Sequence, residues 1–157
     1  MKGSKGSALS GGRGGKAPRL LYLLAALLVA GTARADELAN LPAAEQQAIQ
    51  QVITNQVDAF RSDDESRAFG YASPGIQFMF GNPQRFMAMV REGYRPVYHP
   101  RSMAFGDLLV VDSHLVQELA VIGPDGSPHL ARYVMEHEAD GTWRIDGCVL
   151  VARPPLS

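Results

Sequence analysis

The first regular pattern in the chain is a run of apolar residues at helical spacing. It predicts an amphipathic helix over residues 43–61, with Pro42 just before its first turn. One face of this helix would consist of Ile49, Val52, Ile53, Gln56, Val57 and Phe60. The polar run at residues 62–65 then interrupts the pattern, and Ser62 or Asp63 can cap a second, short helix.

This second helix would carry Ala68 and Phe69 and end by residues 73–75. A short apolar piece follows at residues 76–80. Asn82 as a cap and Pro83 at the first helical position predict a third helix, which ends near Glu92 before Gly93. The prolines at residues 96 and 100 indicate an extended stretch after it.

The rest of the chain alternates segments of about ten residues with turn residues. The segments are 102–111, 114–123, 128–138 and 142–152, and turn residues stand at 112–113, 124–127 and 140–141. Sequential strands with short turns predict an antiparallel meander. The predicted class is therefore α+β: N-terminal helices packed on a curved, cone-like, four-stranded antiparallel sheet, in a single domain over residues 36–157.

The N-terminus has the pattern of a cleavable secretory signal peptide over residues 1–35. A basic stretch precedes an apolar core of about 11 residues, and small side chains stand at Ala33 and Ala35. Cleavage between Ala35 and Asp36 would release a periplasmic or secreted protein. The alternative is an uncleaved anchor, although the apolar core is shorter than the roughly 20 residues that span a bilayer.

Removal of the signal peptide changes the charge of the protein. Residues 36–157 contain nine basic residues, none of them lysine, against sixteen acidic ones, so the net charge is −7. This charge disfavours nucleic acid and an anionic membrane surface as partners. The single cysteine of the sequence, Cys148, is either buried or available to an intermolecular partner, and the apolar run around it favours burial.

Alternation along the last three strands predicts one mostly apolar sheet face that packs against the helices. This face contains three polar residues, Gln117, Arg132 and Glu136, and buried polar groups need a partner or a function. Arg132 and Glu136 would form either an internal ion pair or an anion-binding pair. The whole predicted face is Leu115, Gln117, Leu119, Val121, Leu130, Arg132, Val134, Glu136, Trp143, Ile145 and Val149.

Tyr71, Tyr98 and His99 are expected at the mouth of a pocket above this face. Together with the three polar residues they form the candidate ligand pocket, for a small apolar or weakly anionic molecule. The alternative is that Tyr71 and Tyr98 are ordinary packing aromatic residues and that His99 is an exposed loop histidine.

The opposite sheet face is also predicted to be apolar. It would consist of Val116, Ala120, Ile122, Ala131, Tyr133, Met135, Cys148 and Leu150. A second apolar face needs a cover, which is either the C-terminal residues or a second subunit. We expect a homodimer through the sheet.

Three kinds of site are disfavoured: a serine-hydrolase site, a phosphate-binding loop and a metal site. The chain has no Gly-x-Ser-x-Gly motif, and its glycine-rich stretch at residues 11–16 lacks the P-loop spacing. A turn at residues 124–127 would set His114 opposite His137, on the face of His129 and Asp146. Surface histidines are the simpler interpretation, so no metal and no cofactor is predicted.

Several short stretches carry a resemblance to a known family, at residues 56–60, 68–74, 86–91, 94–98, 117–119 and 140–147. By these stretches the chain resembles a bacterial family named domain of unknown function 4864. The order of elements resembles, more broadly, the nuclear-transport-factor-like cone fold, a superfamily that also contains ketosteroid isomerase and scytalone dehydratase. The resemblance covers essentially all of the mature domain and implies a fold but no reaction.

Three functions remain open from the sequence. The first is an exported, non-catalytic domain that binds a small ligand or serves as an accessory protein. The second is a dimeric structural module whose pocket is filled by its own side chains. The third is an isomerase- or dehydratase-type enzyme, with Glu136 or His99 as the base and Tyr71 or Tyr98 as the acid.

Overall fold

A computed structural model describes residues 40–152, in which helices precede a curved four-stranded antiparallel sheet. The predicted α+β class is confirmed. The predicted signal peptide lies outside the described residues. The elements are α1 (Ala43–Arg61), α2 (Glu65–Gly70), α3 (Pro74–Phe80), α4 (Pro83–Gly93), α5 (Arg95–Tyr98), β1 (Ser102–Val111), β2 (His114–Ile122), β3 (Pro128–His137) and β4 (Trp143–Ala152).

The helix ends follow local capping chemistry. The side chains of Asp64, Ser73 and Asn82 accept hydrogen bonds from the third backbone N–H of α2, α3 and α4. The prediction for Asn82 is confirmed. The cap of α2 is Asp64 rather than Ser62 or Asp63, because Ser62 instead donates its hydroxyl to the end of α1, at the Asp58 carbonyl.

Two helices were not expected from the sequence. The apolar piece at residues 76–80 belongs to α3, which Ser73 and Pro74 begin. The stretch predicted to be extended contains the single-turn helix Arg95–Tyr98. Pro96 is compatible with it because a first-turn residue needs no backbone N–H donor.

The sheet order is β1-β2-β3-β4, with every neighbouring pair antiparallel. The segment before α3 adds to the free edge of β4 through a short parallel bridge between Ala72 and Ile145. There Ser73 N–H donates to the Ile145 carbonyl at 2.8 Å, and Ile145 N–H donates to the Tyr71 carbonyl at 2.9 Å. This bridge attaches the start of α3 to the sheet.

The residues predicted to face the helices are confirmed for β2 but wrong for β3. Leu115 pairs with Met135 and Gln117 pairs with Tyr133, so Ala131, Tyr133 and Met135 point toward the helices. The register differs by one residue from the predicted one, in which His114 lay opposite His137. A one-residue shift exchanges the two faces of a strand, which places Leu130, Arg132, Val134 and Glu136 on the outer face.

A β-bulge changes the faces again within β4. Met135 pairs with Ile145 whereas Val134 pairs with Gly147, so Asp146 is the extra residue. Beyond the bulge Cys148 and Leu150 pack toward the helix-side core, whereas Val149 is 57% exposed on the outer face. The predicted positions of these three residues are therefore wrong, because strict alternation does not continue through a bulge.

The core has two parts. One lies between α1, α5 and the sheet and includes Ile49, Ile53, Leu119 and Tyr133. The other lies among the helices and is rich in aromatic residues, with Phe86 at ring-centroid distances of 5.4–6.3 Å from its neighbours Phe60, Phe69 and Phe80. None of the helices within residues 40–152 is long and apolar enough to cross a membrane.

A candidate ligand-binding cavity

A cavity of about 400 Å³ lies where the two parts of the core meet. Its walls come from α1, α3, α4, α5 and the middle of β3 and β4. Most of its lining is apolar, contributed by Phe60, Ala72, Ile76, Met79, Phe80, Phe86, Met89, Val90, Val97 and Ile145. The size and the lining are typical of a small-molecule site.

Helix α3 forms the outer wall of this cavity. None of its residues is buried, and Met79, which lines the cavity, is 73% exposed. Its neighbour Phe78 is 91% exposed. The helix ends at Gly81, which has a φ of 75° that favours glycine. The cavity is therefore bounded on this side by an apolar helix that is largely exposed to solvent, and we call this side its mouth.

Asp146 is the charged residue of the cavity lining. The β4 bulge exposes its side chain, and its Oδ1 atom accepts a hydrogen bond of 2.6 Å from Ser73 Oγ. Ser73 is fully buried, and the same hydroxyl oxygen accepts the Ile76 N–H at 3.2 Å. The start of α3 thus holds the carboxylate at the cavity.

Tyr133 and Cys148 lie side by side in the inner wall. Burial raises the pKa of Tyr133 well above its usual value, and it raises the pKa of the Cys148 thiol to about 12. The neighbouring Cys148 also raises the pKa of Tyr133, and Tyr133 in turn lowers the pKa of Cys148 against the larger effect of burial. No hydrogen bond of good geometry joins the two groups, and Tyr133 Oη has no partner among the described residues. At neutral pH the thiol is protonated and a poor nucleophile.

Two further polar side chains of the lining donate hydrogen bonds to backbone carbonyls. Gln56 is buried and donates its amide N–H to the Ala68 carbonyl at 3.2 Å. Tyr94 Oη donates to the Cys148 carbonyl at 3.0 Å. Burial also raises the pKa of Tyr94, with the nearby Cys148 as the second cause. These bonds tie α1 to α2 and the end of α4 to β4.

The six residues predicted from the sequence do not line this cavity, and the structure does not bring them together. Gln117 is fully buried on the helix side, where its amide group donates to the carbonyls of Gly106, Asp107 and Glu118. Two residues of β1 oppose one residue of β2 at this point. Gln117 therefore stabilises an irregularity of the sheet.

Arg132 and Glu136 lie on the outer sheet face and do not form the expected pair. The Arg132 guanidinium instead contacts Glu118 at 3.1 Å, across the β2–β3 ladder. Burial is the main cause that raises the pKa of Glu136, followed by the negative charges of Asp146 and Glu138. Glu136 lines a second, more polar cavity at the end of the sheet, which Asp146 also borders.

Tyr98 and His99 belong to a surface cluster near the end of α4. Tyr98 Oη donates to the Asp63 carboxylate and accepts from Arg91, whose guanidinium also contacts Glu65 at 3.1 Å. The ring of His99 packs edge-on against Tyr98. This cluster joins α4 to the turn between α1 and α2.

Tyr71 lies apart from that cluster. It packs against the helix-side core, next to the edge of β4. A role in binding for the six residues stays a prediction.

The three strand histidines lie on different faces. The observed register puts His129 beside Val121 and stacks the ring of His137 on Trp143 at 4.5 Å, both on the helix side. His114 lies on the other side, where its Nδ1 contacts the Asp112 carbonyl. The predicted His114–His137 pairing is therefore wrong. Within residues 40–152 no three metal-ligating side chains lie together.

Asp146 and Ser73 are site residues that the sequence pattern does not predict. The pattern places Asp146 on a regular strand and Ser73 at the end of the second predicted helix. The Ser-Pro-Gly sequence carries a detectable signal, since a serine before a first-turn proline is a common helix cap. No short sequence pattern predicts the bulge that brings Asp146 to the cavity.

Comparison with known proteins gives one result. A family model described as Domain of unknown function (DUF4864) matches residues 42–157, a range that includes every described helix and strand. No curated protein and no solved structure gives a significant match. The resemblance noted in the sequence is thereby confirmed at the level of this family, and the chain belongs to the DUF4864 family.

Proposed function

We propose that this protein is an exported binding protein that holds a small, largely apolar molecule in the cavity between its helices and its sheet. The observation that carries the proposal is the cavity of about 400 Å³ with a mostly apolar lining. Such a surface is unfavourable in water unless a ligand covers it. The loosely packed α3 at its mouth supplies an entrance.

Binding is favoured over catalysis by the chemistry of the lining. Cys148 has a raised pKa of about 12, and the Ser73 hydroxyl is committed to a helix cap and to Asp146. No histidine lines this cavity in the described part of the chain. The expected acids and bases of an isomerase or dehydratase, Glu136, His99, Tyr71 and Tyr98, all lie elsewhere.

Export is part of the proposal and rests on the pattern of residues 1–35. Expression of the full chain in a Gram-negative host, followed by fractionation and intact mass measurement, tests it. The expected product is periplasmic and begins at Asp36, and Ala35→Leu blocks the processing because the peptidase accepts small side chains there. A full-length cytoplasmic product would contradict export.

Ligand binding is tested with N-phenyl-1-naphthylamine, a neutral apolar dye whose fluorescence rises in apolar sites. We expect saturable binding by the wild type and at least tenfold weaker binding by Ile76→Trp, which fills the cavity from α3. Phe78→Trp is the matched control, since it adds the same side chain to the same helix outside the lining. The proposal is wrong if the wild type does not bind the dye or if Ile76→Trp binds it unchanged.

A further inference from the structure

The cavity combines a buried apolar interior with a single charged group at its edge. Phe60, Phe86 and Val90 are buried lining residues, whereas the Asp146 side chain is exposed. A molecule that matches this arrangement has an apolar body and one polar end. Its polar end would lie at the mouth, beside the carboxylate.

We infer that the ligand is an amphiphile whose polar end is a hydrogen-bond donor, an amine or a hydroxyl group, held by the Asp146 carboxylate. This inference rests on the proposed function and specifies the ligand class for the same cavity. A carboxylate-ended ligand is disfavoured, in contrast to the weakly anionic ligand considered from the sequence.

Asp146 is held in a fixed position. It is the extra residue of the β4 bulge, and the bulge turns its side chain toward the cavity instead of leaving it on a regular strand face. Ser73 Oγ donates to Oδ1 at 2.6 Å, and Ser73 is itself fully buried. Among the described residues Ser73 is the hydrogen-bond donor to this carboxylate, through Oδ1, and Oδ2 accepts no hydrogen bond from them.

The charges around the mouth favour the same ligand class. Glu136 and Asp146 border the neighbouring polar cavity, which His114 and His137 also line, and no arginine or lysine lines either cavity within residues 40–152. With the histidines counted as neutral, the formal charge of the two linings is therefore negative. A protonated amine gains from this charge, a neutral alcohol can still donate its O–H group, and a carboxylate is repelled.

The test is displacement of N-phenyl-1-naphthylamine by three molecules with the same ten-carbon alkyl chain and different ends: decylamine, decan-1-ol and sodium undecanoate at neutral pH. The apolar contribution is then constant, and only the end group varies. We expect the order amine, alcohol, carboxylate, with decylamine binding about fivefold or more tighter than undecanoate, the size of a partly exposed ion pair.

Asp146→Asn is the diagnostic variant because its amide oxygen can still accept the Ser73 hydrogen bond. The ratio between the affinities for decylamine and undecanoate should fall toward one while dye affinity is retained. Glu136→Gln is the control, since it removes a nearby carboxylate that does not line the apolar cavity. The Glu136→Gln variant should keep most of the wild-type preference for the amine over the carboxylate.

The outcomes separate the two proposals. Undecanoate binding best, an unchanged affinity ratio in Asp146→Asn, or failure of all three compounds to displace bound dye would each overturn the inference and leave the binding proposal intact. Absence of dye binding by the wild type would overturn both.

Discussion

Ser73 Oγ donates a hydrogen bond of 2.6 Å to Asp146 Oδ1, and this bond joins the first turn of α3 to the bulge of β4. The two residues are neighbours because Ala72 pairs with Ile145 at the sheet edge. One hydroxyl thus caps a helix and orients the charged group of the cavity. The hydrogen bond therefore connects α3, at the proposed entrance, directly to the Asp146 carboxylate.

Ser73→Ala should lower the free energy of unfolding by about 1–2 kcal/mol, since both a helix cap and a hydrogen bond to a carboxylate are lost. Urea denaturation measures this change. Asn82→Ala, which removes the equivalent cap of α4 and no second bond, should cost about 1 kcal/mol. Equal costs for the two variants would mean that the Asp146 bond contributes nothing to stability.

Tyr133→Phe should be neutral or slightly stabilising, by up to about 1 kcal/mol, although Tyr133 is fully buried. Among the described residues its hydroxyl has no hydrogen-bond partner of good geometry, so its removal should relieve a desolvation cost and break no such bond. Tyr94→Phe is the matched variant, and it should cost about 1 kcal/mol because Tyr94 Oη donates to the Cys148 carbonyl. Thermal or urea unfolding compares them. A larger loss in Tyr133→Phe would reveal a bond to that hydroxyl.

Stability should fall at alkaline pH. Folding raises the pKa of Cys148 from 9.0 to about 12, so above about pH 9 the unfolded chain releases a proton that the folded chain retains. The contribution of the protonated thiol to the free energy of unfolding is complete below pH 9. It is lost as the pH rises above that value, by about 1.4 kcal/mol per pH unit. Urea midpoints at a series of pH values measure the slope.

Cys148→Ala should remove this slope between about pH 9 and pH 10, whatever its effect at neutral pH. The raised pKa values of Tyr94 and Tyr133 add to the loss at higher pH in both proteins. A slope that survives the cysteine substitution unchanged in that window would show that the thiol is already exposed.

The protein should form a dimer through the outer face of its sheet. Val149 and Val151 of β4 and Val111 of β1 are 40–57% exposed there, and a second copy would bury the same valines on both subunits. We expect dimer mass in size-exclusion chromatography with light scattering, and monomer mass for Val149→Glu.

Phe78→Glu controls for the loss of any exposed apolar residue, because Phe78 lies on α3 and not on the sheet. It should leave the dimer intact. A wild-type protein that stays monomeric across a concentration series, or a Phe78→Glu variant that dissociates, would rule out this interface.

The candidate site was less predictable than the fold. Gln117 was correctly placed on the helix side, but it supports the sheet instead of the cavity. Arg132 and Glu136 changed faces with the register of β3, and Asp146 entered the site through the bulge of β4. Each of these positions depends on how two strands pair, which no short stretch of sequence specifies.

The sequence by itself determined most of the local structure and the order of its helices and strands. Apolar spacing defined α1 at residues 43–61, turn residues defined β1 at residues 102–111, and Asn82 with Pro83 defined the start of α4. These features arise from periodicity, capping and turn chemistry, which act over a few neighbouring residues. The helices-then-strands order was sufficient for the α+β class.

Only the tertiary structure decided which side chains share a surface. The side-chain period of a strand is two, so one residue of register or one bulge moves a side chain to the other face. The cavity likewise exists only where α1, α3, α4 and α5 meet β3 and β4. The pairing of Ser73 with Asp146 comes from that packing, between residues 73 positions apart in the chain.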